Sequence, residues 1–154
     1  MESSAALHQE VKRTRAQVLR DKVEIRLAVN ATGPAIAELL RLNGIVLEHA
    51  RWDQVFPHWL LATHGDEAIG CCQVIPSKPV GYIEFLLVHP EAPFKLRAIA
   101  IRKLLIQGMN SLYAYGAQYV GGVVAKENKK FAEVIKKMDF VKTFPADVFV
   151  KRIA

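Results

Sequence analysis

The chain has 154 residues, of which 51% are hydrophobic and 23% charged, and its formal net charge is +6. This composition is typical of one globular domain with its own core, without repeats or linkers. No apolar run reaches the roughly 18 residues of a membrane span, and the N-terminus lacks the apolar core of a secretory signal. We therefore expect a protein of the cytoplasm, or one inside a macromolecular assembly, with no membrane partner.

The cysteines, the histidines and the net charge identify no metal or disulfide site. Cys71 and Cys72 are adjacent in a predicted strand, so their side chains point to opposite faces, which fits neither a disulfide framework nor spaced metal ligands. The five histidines are scattered along the chain. The positive charge suits a polyanionic ligand, nucleic acid or an acidic partner, and it equally suits a solvated basic surface.

Residues 5–20 are predicted to form a basic amphipathic helix. Its narrow apolar stripe falls at helical spacing and consists of Leu7, Val11, Thr14 and Val18. Such a stripe packs either on its own domain or on a protein partner or second copy, and the sequence leaves both open. We treat residues 1–22 as an N-terminal extension and residues 23–154 as the main domain.

The main domain opens with a strand and two helices. Residues 23–30 alternate, which predicts a half-buried strand with Ile25, Leu27 and Val29 on one face. Thr32 is expected to cap the next helix, whose buried side is formed by Ile36, Leu39 and Leu40, and Gly44 is expected to end it. A second short helix is predicted over about residues 47–54.

Three strands and a long helix form the middle of the chain. Residues 59–63 and 67–75 flank a hairpin turn, and residues 80–88 follow a second turn, so an antiparallel meander is expected. After a break at residues 89–93, a helix is predicted over about residues 95–115. Its expected buried face is formed by Ile101, Leu104, Leu105, Gly108, Leu112 and Tyr115.

The last third of the chain predicts a strand, a basic helix and one or two closing strands. Residues 119–125 contain the pair Gly121 and Gly122, which suggests a bulge or a close backbone approach. The helix covers about residues 127–138, and the closing strands lie within 140–153. The order β-α-α-β-β-β-α-β-α-β(-β) predicts an α/β fold with a mixed, mostly antiparallel sheet flanked by helices.

This order resembles the GNAT superfamily of N-acetyltransferases over about residues 24–153. Three stretches carry the resemblance: EIRLAVNATGPAIAELL, HGDEAIGCCQVI and IEFLLVHPE. In addition, Asn128 stands eleven and twelve residues before Asp139 and Phe140, the spacing that the family uses between an Asn and a Gly-Phe pair.

The resemblance implies an acetyl-CoA site between the fourth and fifth strands, with the pyrophosphate on backbone N–H groups at the start of the central helix. Its implied base is Glu84, or a water molecule, which takes the proton of the attacking amine. The implied cofactor-binding residues are Leu87, Val88, Lys95, Arg97, Ala98, Ala100 and Asn128.

The sequence departs from the family pattern at two points. The nearest match to the phosphate loop reads Lys-x-x-Ala-x-Ala from Lys95, with alanine at both glycine positions, whereas alignment on Leu104 and Leu105 puts Ile99 and Ile101 there. The same residues also fit a plain helix start. The position of the family's proton-donating Tyr is Ile135, which has no proton to give.

Two functions from different classes follow. The first is an acetyl-CoA-dependent N-acyltransferase with a degenerate pyrophosphate loop and an unknown acceptor. The second is a non-catalytic GNAT-fold assembly protein, for example a component of a phage particle, that docks through its N-terminal helix. Nucleic-acid binding is a weaker third option, because the basic stretches lack interleaved aromatic residues.

Overall fold

A computed structural model describes residues 15–45, 58–124, 128–142 and 148–153 of the chain. The helices and strands, in chain order, are α1 Arg15–Asp21, β1 Val23–Leu27, α2 Gly33–Leu42, β2 Trp59–His64, β3 Glu67–Ile75, β4 Val80–Val88, α3 Phe94–Tyr115, β5 Tyr119–Val123, α4 Lys129–Lys136, β6 Val141–Lys142 and β7 Val148–Arg152. This order agrees with the predicted one, and the predicted helix at 47–54 lies outside the described residues.

The described strands form one sheet in the order β1-β2-β3-β4-β5-β7-β6. All neighbours pair antiparallel except β4 and β5, which pair parallel. The sheet is therefore mixed and mostly antiparallel, as predicted. A single parallel pair requires a crossover, and α3 supplies it between β4 and β5.

The sheet buries both of its faces. On one face, α3 packs Leu104 and Leu112 against the strands, and Cys72 belongs to this cluster. On the other face, α2 packs Ile36 and Leu39 around Trp59, and here Cys71 is buried. The two adjacent cysteines thus point to opposite faces, as the strand periodicity predicted.

The prediction for β1 is wrong in its second half. Leu27 is 61% exposed and Val29 is 55% exposed, although both were expected on the buried face. β1 is an edge strand, and α3 reaches it at its start, where the Lys103 ammonium donates to the Val23 carbonyl at 2.6 Å. Because β1 ends at Leu27, the alternation does not continue to residue 30.

The buried face of α3 is shifted towards its N-terminus relative to the prediction. Leu96 and Ala100 belong to it, whereas Ile101 is half-buried and Tyr115 is 54% exposed. Tyr115 lies in the last turn, where the Lys78 ammonium sits 5.6 Å from the centre of its ring. The central stripe at Leu104, Leu105, Gly108 and Leu112 is confirmed.

The N-terminal helix packs on its own domain where the structure describes it. Leu19 contacts the core on the α3 face of the sheet, whereas Val18, expected in the buried stripe, is 40% exposed. Residues 5–14, which carry the rest of the stripe, lie outside the described residues, and a partner for this helix stays a prediction. None of the described helices is long and apolar enough to cross a bilayer.

Candidate functional site

Strands β4 and β5 part after three paired residues, and this parting creates a cleft. Val80–Tyr82 pair with Tyr119–Gly121, and the described pairing goes no further. At the closed end the backbones lie very close, because a Cβ on Gly122 would be 3.0 Å from the carbonyl oxygen of Ile83. The paired glycines of β5 therefore mark a close backbone approach, one of the two predicted possibilities.

A bulge in β4 lies at the place where the strands part. Gln73 pairs with Glu84 and Cys71 pairs with Leu87, so β4 uses three steps where β3 uses two. The extra residue adjoins Phe85, whose φ of +48° is rare for a side chain of this size. Since a bulge bends its strand and leaves a residue unpaired, it explains why β4 turns away from β5.

The cleft has a volume of about 290 Å³ and a mostly apolar lining. The lining includes Phe85, Leu105, Val124, Phe131, Ile135 and Phe140. On its β5 side, the edge of β4 beyond Ile83 has no strand partner among the described residues. The Val88 carbonyl there accepts from the Asn43 side-chain amide at 3.1 Å. Backbone groups of this edge that no described residue bonds can pair with an extended ligand in the cleft.

Two of the predicted site residues, Leu87 and Asn128, line this cleft. Asn128 also caps α4, since its Oδ1 accepts a hydrogen bond from the Phe131 amide at 3.2 Å. Phe140 lines the cleft too, so the structure brings the two ends of the Asn-to-Phe spacing together. Asp139 has a φ of +64°, a left-handed conformation that glycine adopts most easily, which explains why a glycine suits this position.

The predicted residues at the start of α3 lie outside the cleft lining. α3 begins at Phe94, and the Arg97 amide donates to the Pro93 carbonyl at 3.0 Å. The amides of residues 94–96 come before the first intrahelical bond, so they are the ones free for an anion. Lys95 and Ala98 are exposed, whereas Ala100 is fully buried and its side chain belongs to the core.

The Arg97 side chain has one unusual feature. Its Nε atom is buried and has no hydrogen-bond partner in the described part of the chain. A buried donor of this kind is normally satisfied, by protein, water or a ligand. Arg97 therefore remains a candidate for contact with an anion at this end of α3.

Glu84 and Val88 lie on opposite sides of β4, and neither lines the cleft. Glu84 is half-buried, and because Ile83 packs towards α3, Glu84 points to the α2 face of the sheet. Val88 packs into the core on the α3 face.

Sequence reasoning missed Phe85 and Phe131 as cleft residues. Phe131 lies one turn before Ile135 on α4, so the helical period could have identified it. Phe85 lies at the bulge, where the alternation of β4 is interrupted. In the described residues, no group of His, Cys, Asp and Glu is suited to hold a metal ion.

No protein-family model matches the chain, and no curated protein matches it significantly. Solved structures do resemble it. N-acetylglutamate synthase from Neisseria gonorrhoeae, solved with coenzyme A and L-arginine, superimposes with a TM-score of 0.69 at 20% sequence identity. The match covers 84% of this chain and 33% of that one, so the chain spans about a third of the synthase's length.

Two shorter enzymes resemble the chain over nearly their whole length. The PaiA N-acetyltransferase from Thermoplasma acidophilum, with coenzyme A, gives a TM-score of 0.65 at 18% identity and covers 84% of this chain and 98% of its own. Diaminobutyrate acetyltransferase EctA from Paenibacillus lautus was solved with L-2,4-diaminobutyric acid and coenzyme A. It gives a TM-score of 0.64 at 17% identity, and the match covers 83% of this chain and 93% of the EctA chain. At these identities the comparison shows the fold, and it confirms the predicted GNAT-type architecture.

Proposed function

We propose that this chain is an N-acyltransferase of GNAT type that takes its acyl group from acetyl-CoA. The observation that carries the proposal is the apolar cleft where β4 and β5 part. The pantetheine arm of coenzyme A is narrow, with apolar segments between two amide groups. The apolar lining suits the apolar segments of such an arm, and the edge of β4, which no described strand pairs with beyond Ile83, suits its amide groups.

The start of α3 is the proposed place for the pyrophosphate. A pyrophosphate needs free backbone N–H groups, and the amides of residues 94–96 are free for an anion. Of the predicted stretch from Lys95 to Ala100, only its first two residues therefore contribute amides. Lys95 and Arg97 add positive charge there, and the buried Nε of Arg97 is a donor still without a partner. The exposed side of Ala98 would lie along the bound nucleotide, whereas Ala100 serves the core.

The proposed reaction is direct transfer to an amine. Glu84, or a water molecule beside it, removes a proton from the amine, whose lone pair then attacks the thioester carbonyl. A C–N bond forms, the C–S bond breaks, and the thiolate leaves. Because Ile135 cannot supply a proton, water protonates the thiolate. Since Glu84 points to the α2 face, the acceptor amine would approach from that face.

The test is thermal unfolding with and without acetyl-CoA. A ligand at about 100 times its Kd adds roughly 2.7 kcal/mol to the free energy of unfolding, which for a domain of this size raises the Tm by roughly 5–10 °C. Ala98→Trp should abolish the shift, because a bulky side chain would block the anion site. Ala114→Trp, at an exposed position near the other end of α3, is the matched control and should preserve the shift.

An absent shift at millimolar acetyl-CoA would contradict the proposal. It would favour the second function, a GNAT-fold assembly protein that docks through its N-terminal helix. If both tryptophan variants retain the shift in Tm, acetyl-CoA is a ligand, but its phosphates bind away from the start of α3.

A further inference from the structure

The surface at the α4 side of the cleft is basic. Asn128 and Phe131 line the cleft, and Lys129 and Lys130 lie between them in the chain and are exposed. Within the described residues, neither lysine is in ion-pair distance of a carboxylate. Glu133, one turn further on, is already held by Lys136 at 2.9 Å. The end of α4 beside the cleft therefore carries positive charge that no carboxylate of the described residues pairs with.

The surface at the start of α3 is mixed in charge, because Lys95 and Arg97 stand beside a depression that acidic residues line. A depression of about 500 Å³ adjoins it, and Glu38, Glu67 and Glu91 line this depression together with His89 and Pro93. The Glu38 carboxylate is already held by Arg41 at 2.6 Å. Glu67 and Glu91 would therefore oppose the attraction of the helix end for a nucleotide diphosphate bound at the amides of residues 94–96. The chain thus provides an apolar cleft for a pantetheine arm and a surface of mixed charge for the nucleotide of coenzyme A.

We propose that the preferred acyl donor is an acidic carrier protein whose 4′-phosphopantetheine arm enters the cleft. This inference rests on the proposed function, because it assumes a thioester arm between β4 and β5. A carrier-bound arm is the same chemical group as the arm of coenzyme A, but it ends in one phosphodiester on a serine and brings no adenosine. Carboxylates around that serine would lie over Lys129 and Lys130, and this charge complementarity sets the choice of partner.

Binding measurements with four probes test the inference. The probes are pantetheine, coenzyme A, and an acidic bacterial acyl carrier protein in its apo form and in its phosphopantetheine-bearing form. The phosphopantetheine-bearing carrier should bind at least about tenfold more tightly than either coenzyme A or the apo carrier, because only this probe uses both the cleft and the lysines. Added salt should weaken carrier binding and leave pantetheine binding unchanged.

Charge reversal separates docking from cleft binding. The double variant Lys129→Glu, Lys130→Glu should lose about tenfold in affinity for the phosphopantetheine-bearing carrier and keep its affinity for pantetheine. The control Arg20→Glu, Lys22→Glu makes the same change in net charge on exposed residues of α1 and the turn after it, and should leave both affinities unchanged.

Three results would overturn the inference in distinguishable ways. If the carrier binds no more tightly than pantetheine, the docking surface is absent while the cleft, and with it the proposed function, stands. If charge reversal weakens the binding of coenzyme A as much as the binding of the carrier, the two lysines bind a phosphate group of coenzyme A. If pantetheine fails to bind to the folded protein, the proposed function fails together with the inference.

Discussion

Gly122 of β5 lies against the carbonyl of Ile83 in β4, so closely that a Cβ on the glycine would be 3.0 Å from that oxygen. This contact is one residue beyond the last parallel pair, Tyr82 with Gly121. It marks the closed end of the cleft, where the two strands separate. The partner atom belongs to the backbone, so a side chain at position 122 would have to push the strands apart rather than displace a flexible side chain.

Replacing Gly122 should therefore affect the cleft as well as stability. We expect Gly122→Ala to lower the free energy of unfolding by about 1–3 kcal/mol and to weaken acetyl-CoA binding, measured by titration calorimetry. Gly81→Ala is the control, because its Cβ would meet Leu112 at 2.5 Å in the core and away from the cleft lining. Equal losses of acetyl-CoA affinity in both variants would show that the effect is only loss of stability.

Glu84→Gln tests the proposed base. The amide keeps the shape of the side chain but cannot accept a proton, so we expect transfer to a panel of primary amines to slow by about 10²–10⁴-fold. Acetyl-CoA affinity should stay the same, because Glu84 lies outside the cleft lining. Glu24→Gln, on the exposed side of the edge strand, should change neither quantity. Unchanged thiol release by Glu84→Gln would remove this residue from the mechanism and leave water as the base.

The fold could be predicted from the sequence because its signals are local and agree with one another. The hairpin turn at Gly65, the end of the helix at Gly44 and the helical period of α3 each specify one element or its boundary. The predictions of burial were wrong where packing between elements, and not the local sequence pattern, decides which side chains are buried. Leu27 and Tyr115 are apolar or aromatic at the expected period, but both lie where the covering layer ends.

The candidate site was predictable only in part, for the same reason. Leu87 and Asn128 were identified through the family pattern and do line the cleft. The bulge at Phe85 has no sequence signal, since a left-handed backbone at a phenylalanine runs against its preference. The free amides at the start of α3 are those of residues 94–96, and the predicted stretch was Lys95 to Ala100. The difference arises because the position of the first intrahelical bond depends on where the helix starts.

The two buried thiols should make the protein less stable in alkali. Burial raises the pKa of Cys71 to about 12, and it raises the pKa of Cys72 further. In the unfolded chain a thiol ionises near about 8.5, so above this pH the folded state binds more protons than the unfolded state. The free energy of unfolding is thus unaffected below about pH 8.5 and falls above it, by about 2 kcal/mol per thiol at about pH 10.

Urea denaturation at neutral and alkaline pH measures this loss. The double variant Cys71→Ala, Cys72→Ala should show a smaller fall between the two values of pH, although its stability at neutral pH is lower. Ile69→Val, a core change in the same strand that keeps both thiols, should retain the full fall. The same alkaline fall in all three proteins would assign it to lysine and tyrosine side chains instead.

Ile135 offers a way to restore the missing proton donor. It lines the cleft beside Phe131 and Phe140 and is 4% exposed, so a tyrosine there would place its ring within the cleft. We expect Ile135→Tyr to raise kcat for amine acetylation, by up to about 10²-fold, because a phenol would protonate the leaving thiolate in place of water. Ile135→Phe adds the same ring without the hydroxyl, and it should lower acetyl-CoA affinity as much as the tyrosine does. A tyrosine variant no faster than the phenylalanine variant would show that protonation of the thiolate does not limit the rate.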